Sequence, residues 1–332
     1  YYDVQNNSST YVADGYAYTS TIAMRDWETA VGGLLRSVDM ATGQTHWIRE
    51  FQGGGFYWSG SVKVGDALII GGEDGVLYAV SVDTGADLAA PLTIGAKIRS
   101  SIVHQGDYLY FTDTAGSFHQ VGFDADSGSF GSHQSVKFAG YSTSTPTIYG
   151  NKAYVGSSEG FHVIDLGSMK VAANYATDGP VQATPLVVPN SKGGVSVFFT
   201  VNHASGEMLV YDGQSVSVAF APPAESQNYT TSSVVVSKDG TLFYTNDSGA
   251  IFALASGKEE PTIPSETETA ESVESGKTQP AEDETSRPTE RPDDSVIPQT
   301  GLSESYHLTG MGSLLILAAI VIWLTKRRVI KE

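Results

Sequence analysis

Glycine residues recur at a nearly regular interval through most of this sequence, and each precedes a short apolar run. They are Gly15, Gly65, Gly106, Gly150, Gly194 and Gly240, with spacings of 50, 41, 44, 44 and 46 residues. A second turn glycine follows in five units, at Gly75, Gly116, Gly160, Gly206 and Gly249. An apolar run also follows each second glycine and precedes each first one. Each unit therefore predicts three short strands joined by glycine turns, and a weaker fourth strand fits the link to the next unit, as in LTIGAKI.

This period indicates how the strands are arranged. A repeat of about 40–45 residues with four strands is typical of one blade of a β-propeller. A blade cannot bury both of its faces alone, so neighbouring blades must stack around an axis. We therefore predict an all-β fold, a β-propeller of four-stranded blades, over residues 1–257. Six units are visible, and the first carries an insert around Arg25–Gly32. The alternative is a β-sandwich with coincidental spacing.

One motif within the repeats indicates which group of propellers the sequence resembles. The run SVDMATGQTHW from Ser37 to Trp47 closely follows the pattern A-x-D-x-x-T-G-x-x-x-W, and residues 81–85 and 124–128 are weaker copies. It resembles the blade-docking motif of quinoprotein-like (PQQ-like repeat) propellers. In this motif, which also contains Thr42, we expect Asp39 to cap the turn, Gly43 to take positive φ and Trp47 to dock onto the next blade.

The same resemblance bears on the number of blades. Members of this superfamily usually have seven or eight blades, whereas six units are visible here. Either the ring is smaller, or further blades precede Tyr1. The sequence opens with Tyr1-Tyr2-Asp3 and no Met, which favours the second interpretation.

Catalysis is not indicated by the residues present. Quinoprotein dehydrogenases resembling this fold hold their quinone with vicinal cysteines beside a Ca²⁺ ion, but the chain contains no Cys and no matching Asp, Asn or Glu group. The seven histidines form no ligand pair, and His119 and His162 are predicted to be partly buried strand residues. The sequence therefore predicts no cofactor, no metal and no catalytic residue. Tyr57 and Trp58 are interpreted as core or inter-blade packing.

Two further kinds of site, a calcium-binding loop and a nucleic-acid-binding surface, are not indicated by the sequence. Residues 73–75, 112–113, 158–160 and 246–249 lack the alternating oxygen ligands of a calcium loop and are interpreted as hairpin turns. The formal net charge is −18, from 19 Lys and Arg against 37 Asp and Glu. Phosphates would be repelled by this balance, so nucleic acid is not an expected partner.

Composition changes sharply after residue 257. Residues 258–296 contain no aromatic residue and are dominated by Pro, Ser, Thr and Glu. Such a segment cannot bury enough apolar surface to offset the entropy of ordering it, and its acidic excess extends the chain. We therefore predict a disordered acidic stalk at 258–296.

The C-terminal segment, 297–332, has three parts in a fixed order. Ile297, Pro298, Gln299, Thr300 and Gly301 form the sequence IPQTG, an apolar run lies within 308–325, and a basic cluster begins at Lys326. The apolar run is just long enough to cross a bilayer core as a helix, and the basic end predicts that this side is cytoplasmic. The order resembles a Gram-positive cell-wall sorting signal of the LPXTG type, with Ile297 in place of Leu. A plain single-pass anchor is the alternative.

The resemblance implies a defined transpeptidation. A sortase cysteine thiolate attacks the Thr300 carbonyl, the Thr300–Gly301 amide breaks and Gly301 leaves with the tail. An amine of a peptidoglycan precursor then releases the enzyme, so that Thr300 becomes linked to the wall. The expected partners are sortase, peptidoglycan, the membrane transiently, and a surface protein or glycan that the propeller binds.

The sequence thus predicts a non-catalytic binding or scaffolding module on the cell wall of a Gram-positive bacterium. Two alternatives remain open. One is a secreted oxidoreductase, PQQ-dependent or other. The other is a propeller that serves as a spacer for a functional domain before Tyr1.

Overall fold

The chain is described by a computed structural model over residues 3–26, 29–190, 193–256 and 317–321. Within these ranges the protein is nearly all β, and its one helical element is a 3-10 turn, Ala224–Ser226. The strands form six antiparallel sheets that follow one another along the chain. The predicted stalk, 258–296, and the motif Ile297–Gly301 lie outside the described residues.

The first sheet is larger than the others because it contains two additional strands. Its six strands are β1 (Asp3–Gln5), β2 (Tyr11–Ala13), β3 (Tyr16–Ser20), β4 (Ile22–Met24), β5 (Ala30–Asp39) and β6 (Thr45–Gln52). Strands β2, β3, β5 and β6 form a ladder of four in that order. Strand β4 pairs with the beginning of the long β5, and β1 pairs with β4, so these two strands lengthen one end of this sheet.

The next four sheets each contain four strands, paired in chain order. The second contains β7 (Val62–Val64), β8 (Ala67–Gly71), β9 (Val76–Ser81) and β10 (Leu92–Thr93). The third contains β11 (Val103–Gln105), β12 (Tyr108–Thr112), β13 (Ser117–Asp124) and β14 (Ser129–Lys137). The fourth contains β15 (Thr147–Tyr149), β16 (Lys152–Ser157), β17 (Gly160–Asp165) and β18 (Lys170–Ala176). The fifth contains β19 (Leu186–Pro189), β20 (Val195–Thr200), β21 (Met208–Tyr211) and β22 (Val216–Phe220).

The sixth sheet differs from the prediction at its fourth strand. It contains β23 (Val235–Val236), β24 (Leu242–Thr245), β25 (Ile251–Ser256) and β26 (Leu317–Val321). Residues 317–321 were predicted to lie in a membrane helix at 308–325, but they form a strand that pairs with β25. The physical reason is that β25 is otherwise an edge whose backbone groups need partners, and Ile and Val favour strands. The rest of 308–325 is not among the described residues.

Glycine turns occur where the spacing predicts them. Gly65 lies between β7 and β8 with φ +57°, and Gly75 lies between β8 and β9 with φ +73°. An L side chain would be strained at these angles, so glycine is required to reverse the chain so tightly. One position is shifted: between β19 and β20 the positive φ belongs to Gly193 and not to Gly194.

The core consists of apolar clusters between successive sheets. Five clusters of buried residues join the first sheet to the second and so on to the sixth. Examples are Leu35 with Leu68, and Phe161 with Phe199, whose rings stack at 4.5 Å. Side chains on both faces of the middle sheets are thus buried, as stacked blades require. This arrangement of four-stranded antiparallel sheets is consistent with a β-propeller.

The two ends of the sheets carry different loops. The connections between consecutive sheets, and the turns between second and third strands, lie at one end, which we call the connection face. The other turns lie at the opposite end, which we call the hairpin face. Antiparallel pairing fixes this division, because each successive strand reverses direction.

A repeated hydroxyl bond ties each connection to the sheet that follows it. A Ser or Thr hydroxyl donates to a carbonyl near the end of the second strand: Ser59 to Gly71 at 2.6 Å, Ser100 to Thr112 at 3.1 Å, Ser142 to Gly156 at 2.7 Å and Thr230 to Thr245 at 2.7 Å. In the fifth sheet, Ala183 occupies the corresponding place, so no hydroxyl is present there. These bonds satisfy buried carbonyls and hold the connection face in a defined shape.

Candidate binding face

One exposed aromatic group of the connection face follows a buried anchor. Phe56 is completely buried, and its backbone N–H donates to the Thr21 carbonyl at 3.1 Å. Its ring meets those of Phe51 and Tyr78 edge-on. This packing fixes the connection between β6 and β7 just before it reaches the next two residues, Tyr57 and Trp58.

Trp58 combines an unusual backbone conformation with an exposed side chain. Its φ is +59°, in the left-handed region that a large L residue rarely adopts, and its side chain is 39% exposed. The Tyr57 ring lies beside the indole, with centroids 4.8 Å apart. The prediction that both residues serve as core or inter-blade packing is therefore wrong for Trp58, and Tyr57 is only half-buried.

A cation supports the second ring of this pair. The Arg99 guanidinium lies over the Tyr57 ring, with Cζ 4.7 Å from the centroid. Cation–π contacts of this kind are worth about 0.5–2 kcal/mol, more when they are shielded from water. Arg99 belongs to the connection between β10 and β11, so two neighbouring connections meet at this point.

Arg99 is itself held by a buried carboxylate. Glu73, in the turn between β8 and β9, has a side chain only 1% exposed. Arg99 Nε and Nη2 donate to its two oxygens at 2.6 and 2.9 Å, and Lys97 Nζ lies 3.2 Å from Oε2. The hydrogen bonds to Glu73 raise the pKa of Arg99 above its already high value, so this cation stays charged.

We call Tyr57, Trp58, Glu73, Lys97 and Arg99 the aromatic platform. It combines two exposed or half-buried rings with a fixed guanidinium and a partly exposed ammonium. Trp, Tyr and Arg are the residue types most enriched at the energetic centres of interfaces, because they give large contact areas and polar handles together. The platform therefore presents residue types that are common in contact surfaces.

Two buried histidines belong to hydrogen-bonded networks inside single sheets. His119 Nε2 donates to Asp113 Oδ2 at 3.0 Å, and its Nδ1 is hydrogen-bonded to His133 Nε2 at 2.9 Å. Burial alone raises the pKa of Asp113, but the bonds from His119 and Ser117 outweigh it and hold this pKa below its ordinary value. The carboxylate therefore stays charged inside the sheet.

The second network occupies the corresponding place in the fourth sheet. His162 Nδ1 donates to Asn174 Oδ1 at 2.6 Å, and Nε2 accepts from the Ser157 hydroxyl at 2.7 Å. His119 and His162 lie in strands as predicted, but they are fully and not partly buried, at 4% and 1% exposed. All their ring nitrogens have hydrogen-bond partners in the same sheet, and His162 also bonds to the backbone of Ala139, which is the pattern of a structural network.

The docking motif lies where the first sheet meets the second. Asp39 Oδ1 accepts from the backbone N–H groups of Ala41 and Thr42 at 2.9 and 2.8 Å. Gly43 completes the turn with φ +71°. Trp47 extends from β6 onto the second sheet, where its Nε1–H donates to the Val82 carbonyl at 2.7 Å.

Arg49, on the same strand, makes further contacts between the first and second sheets. Arg49 donates to the Gly85 carbonyl at 3.1 Å and pairs with Asp87 at 2.7 Å. The guanidinium also lies over the Phe51 ring at 4.6 Å. Strand β6 is therefore joined to the turn after β9 by both an indole and a guanidinium.

A groove of about 420 Å³ lies between the fourth and fifth sheets. Its lining includes Tyr175, Leu209 and Val216, and its charged groups are the acidic Asp178 and Glu207. Within the described ranges, no three His, Asp or Glu side chains are grouped in a way that would hold a metal ion. No helix in the described part of the chain is long and apolar enough to cross a membrane.

Comparison with known proteins shows the fold alone. No family model matches the sequence, and no curated protein matches it. Among solved structures, the chain is similar to the computationally designed Ika8 protein, with a TM-score of 0.54 and 12% identity over 74% of this chain and 69% of that one. BamB from Moraxella catarrhalis, a β-propeller of PQQ-like fold, has a TM-score of 0.49 and 13% identity over 74% of this chain and 81% of that one.

Proposed function

We propose that this chain is a non-catalytic binding module on the surface of a Gram-positive bacterium. The sheets of residues 3–256 form the binding domain, the acidic segment 258–296 extends it from the surface, and Thr300 becomes its point of attachment to peptidoglycan. The proposal is supported by a propeller-like fold with an exposed aromatic platform, and by the order of IPQTG, apolar run and basic end in the sequence.

The observation that carries the binding role is Trp58. A large ring is held 39% exposed on a left-handed backbone, although a glycine would fit there without strain. Strained, exposed residues of this kind are characteristic of ligand contacts. The platform suits either the apolar face of a sugar ring or an aromatic and charged patch on a protein, so both ligand classes are open.

Binding is tested with the full-length chain and two probe sets, an array of defined oligosaccharides and a panel of purified extracellular proteins. The Trp58→Gly variant should lose about tenfold or more in affinity for whichever probe binds, which corresponds to about 1.4 kcal/mol. Tyr149→Ala is the matched control, because Tyr149 is 38% exposed but lies on the hairpin face. Equal losses in both variants would contradict a role for the platform.

Attachment is tested in a Gram-positive host that expresses sortase. Thr300→Ala and Pro298→Ala should move the protein from the wall fraction to the membrane or the medium, while Thr309→Ala, outside the motif, should not. Mass spectrometry should show that the polypeptide in wall-attached material ends at Thr300. Recovery of Glu332 in that material would refute the sorting mechanism, whatever the result of the binding experiment.

The non-catalytic assignment has its own test. Addition of PQQ and Ca²⁺ to the chain should leave the absorbance of the free quinone unchanged, because the sequence contains no cysteine to clamp it. A shifted spectrum together with oxidation of an alcohol or sugar would favour the oxidoreductase alternative.

A further inference from the structure

In the complete sheets, a fourth strand follows the third after a short turn. In the third sheet, β13 ends at Asp124 and β14 begins at Ser129, and in the fourth sheet β17 ends at Asp165 and β18 begins at Lys170. Strand β25 ends at Ser256, where the predicted stalk begins. Among the described residues, the next strand after β25 in the chain is β26, Leu317–Val321.

Strand β25 is nevertheless firmly part of the core. Phe252 and Leu254 are 0% and 1% exposed, in the cluster that joins the fifth and sixth sheets. Its backbone is paired on one side with β24. An uncovered second side would present a row of unpaired N–H and C=O groups, which is a ready template for another strand.

In the structure this edge is covered by residues from the far end of the chain. Strand β26 pairs antiparallel with β25, from Phe252 opposite Val321 to Ser256 opposite Leu317. Its sequence, LAAIV, is uncharged and has no Pro or Gly. Such a segment is well suited to pair with a strand edge in water.

The same residues have a different requirement inside a bilayer. There, a lone segment must satisfy its backbone groups internally and is therefore helical. Pairing with β25 and crossing a membrane are consequently mutually exclusive for residues 317–321.

We propose that the outer edge of β25 is a strand-acceptor site, and that its occupant in the unprocessed chain outside a membrane is Leu317–Val321 of the same molecule. In this pairing Ser256 lies opposite Leu317 at the end of the sixth sheet. It also gives partners to backbone groups of β25 that would otherwise form an open edge. The proposal goes beyond the proposed function, since it holds whether or not sortase acts on this chain.

The absence of cysteine from the sequence makes a clean disulfide test possible. Ala255 lies opposite Ala318, so the Ala255→Cys/Ala318→Cys variant brings two cysteines into register. Opposed Cα atoms are about 4.5–5.5 Å apart in an antiparallel pair, within the range that a disulfide bridges. We expect rapid intramolecular oxidation of the purified full-length chain.

The matched control keeps the same cysteine at position 318. In Ile251→Cys/Ala318→Cys, the two positions are four residues out of register, about 13 Å apart at 3.3 Å per residue, which is too far for a disulfide. This variant should oxidise at least tenfold more slowly. Equal rates in the two variants would overturn the proposal, and so would disulfides formed only between molecules, since these would identify a second copy as the occupant.

A second measurement keeps the test independent of cysteine chemistry. Ala319→Pro removes a backbone N–H from β26 and should interrupt its pairing. Hydrogen exchange at alternate amides of β25 should then accelerate, while exchange within β24 should not change. Unaltered protection of β25 would contradict the proposed occupant, and neither outcome depends on wall attachment or ligand binding.

Discussion

The indole Nε1–H of Trp47 donates a 2.7 Å hydrogen bond to the carbonyl of Val82, across the boundary between the first and second sheets. The indole is 8% exposed and lies against Gly85, where a Cβ would be 2.7 Å from Trp47 Cε3. The contact between the first and second sheets thus depends on the Trp47 ring and on the absence of a side chain at Gly85.

Gly85→Ala should therefore destabilise the protein more than Gly43→Ala. Both glycines have φ +71°, so both variants incur about 1–2 kcal/mol of left-handed strain. Only Gly85→Ala also forces a methyl into the indole, since a Cβ at Gly43 meets nothing within 4 Å, and overpacking adds about 1–3 kcal/mol. Urea unfolding followed by circular dichroism measures both free energies.

The cause of that difference is tested by a double variant. In a Trp47→Ala background, Gly85→Ala should cost no more than Gly43→Ala, because the methyl then meets no ring. If the extra cost persists without the indole, the contact between Trp47 and Gly85 is not its source.

The turn chemistry explains why so much of the fold was predictable. A tight reversal needs positive φ, glycine supplies it, and Gly65 and Gly75 therefore mark their turns in the sequence itself. The pattern around Asp39 and Trp47 is similarly local. The apolar run that contains Leu317 was less informative, because apolar content alone does not distinguish a strand from a helix.

The aromatic platform had no such local signal. Arg99 and Glu73 are 26 residues apart and meet only because a connection and a turn come together at one face. The run FYW at 56–58 resembles core sequence, and Phe56 is indeed buried. Nothing in the sequence indicates that Trp58 adopts a left-handed backbone.

This conformation predicts an inverted order of stability at position 58. Trp58→Gly should be more stable than Trp58→Ala by about 1–2 kcal/mol, because glycine relieves the left-handed strain and alanine retains it. In ordinary strand or helix positions the order is the opposite. Comparison of the two unfolding free energies decides the matter, and a more stable alanine variant would mean that Trp58 is not strained.

The ion pair beneath the platform should show strong coupling. Arg99→Met leaves the buried Glu73 with Lys97 as its remaining cation, and we expect a loss of about 1–3 kcal/mol, below the value for a fully buried pair because Arg99 is 25% exposed. Glu73→Gln in the Arg99→Met background should recover part of this loss. A double-mutant cycle with no coupling would show that the two side chains do not depend on each other.

The buried His162 predicts how stability depends on pH. Burial lowers its pKa below the ordinary value, against the opposing hydrogen bonds to Asn174 and to the backbone of Ala139. Below about pH 6.5 the unfolded chain therefore binds a proton that the folded chain does not, so stability should fall as pH drops through this window, by up to about 1.36 kcal/mol per pH unit for one group. Burial also lowers the pKa values of His104 and His133, so these residues make stability fall with pH in the same direction. Both remain present in the variant that tests His162. The variant His162→Gln cannot titrate, so its unfolding free energy between pH 7 and pH 5 should fall less steeply than that of the unaltered protein, and parallel profiles would show that His162 is not kept neutral in the folded state.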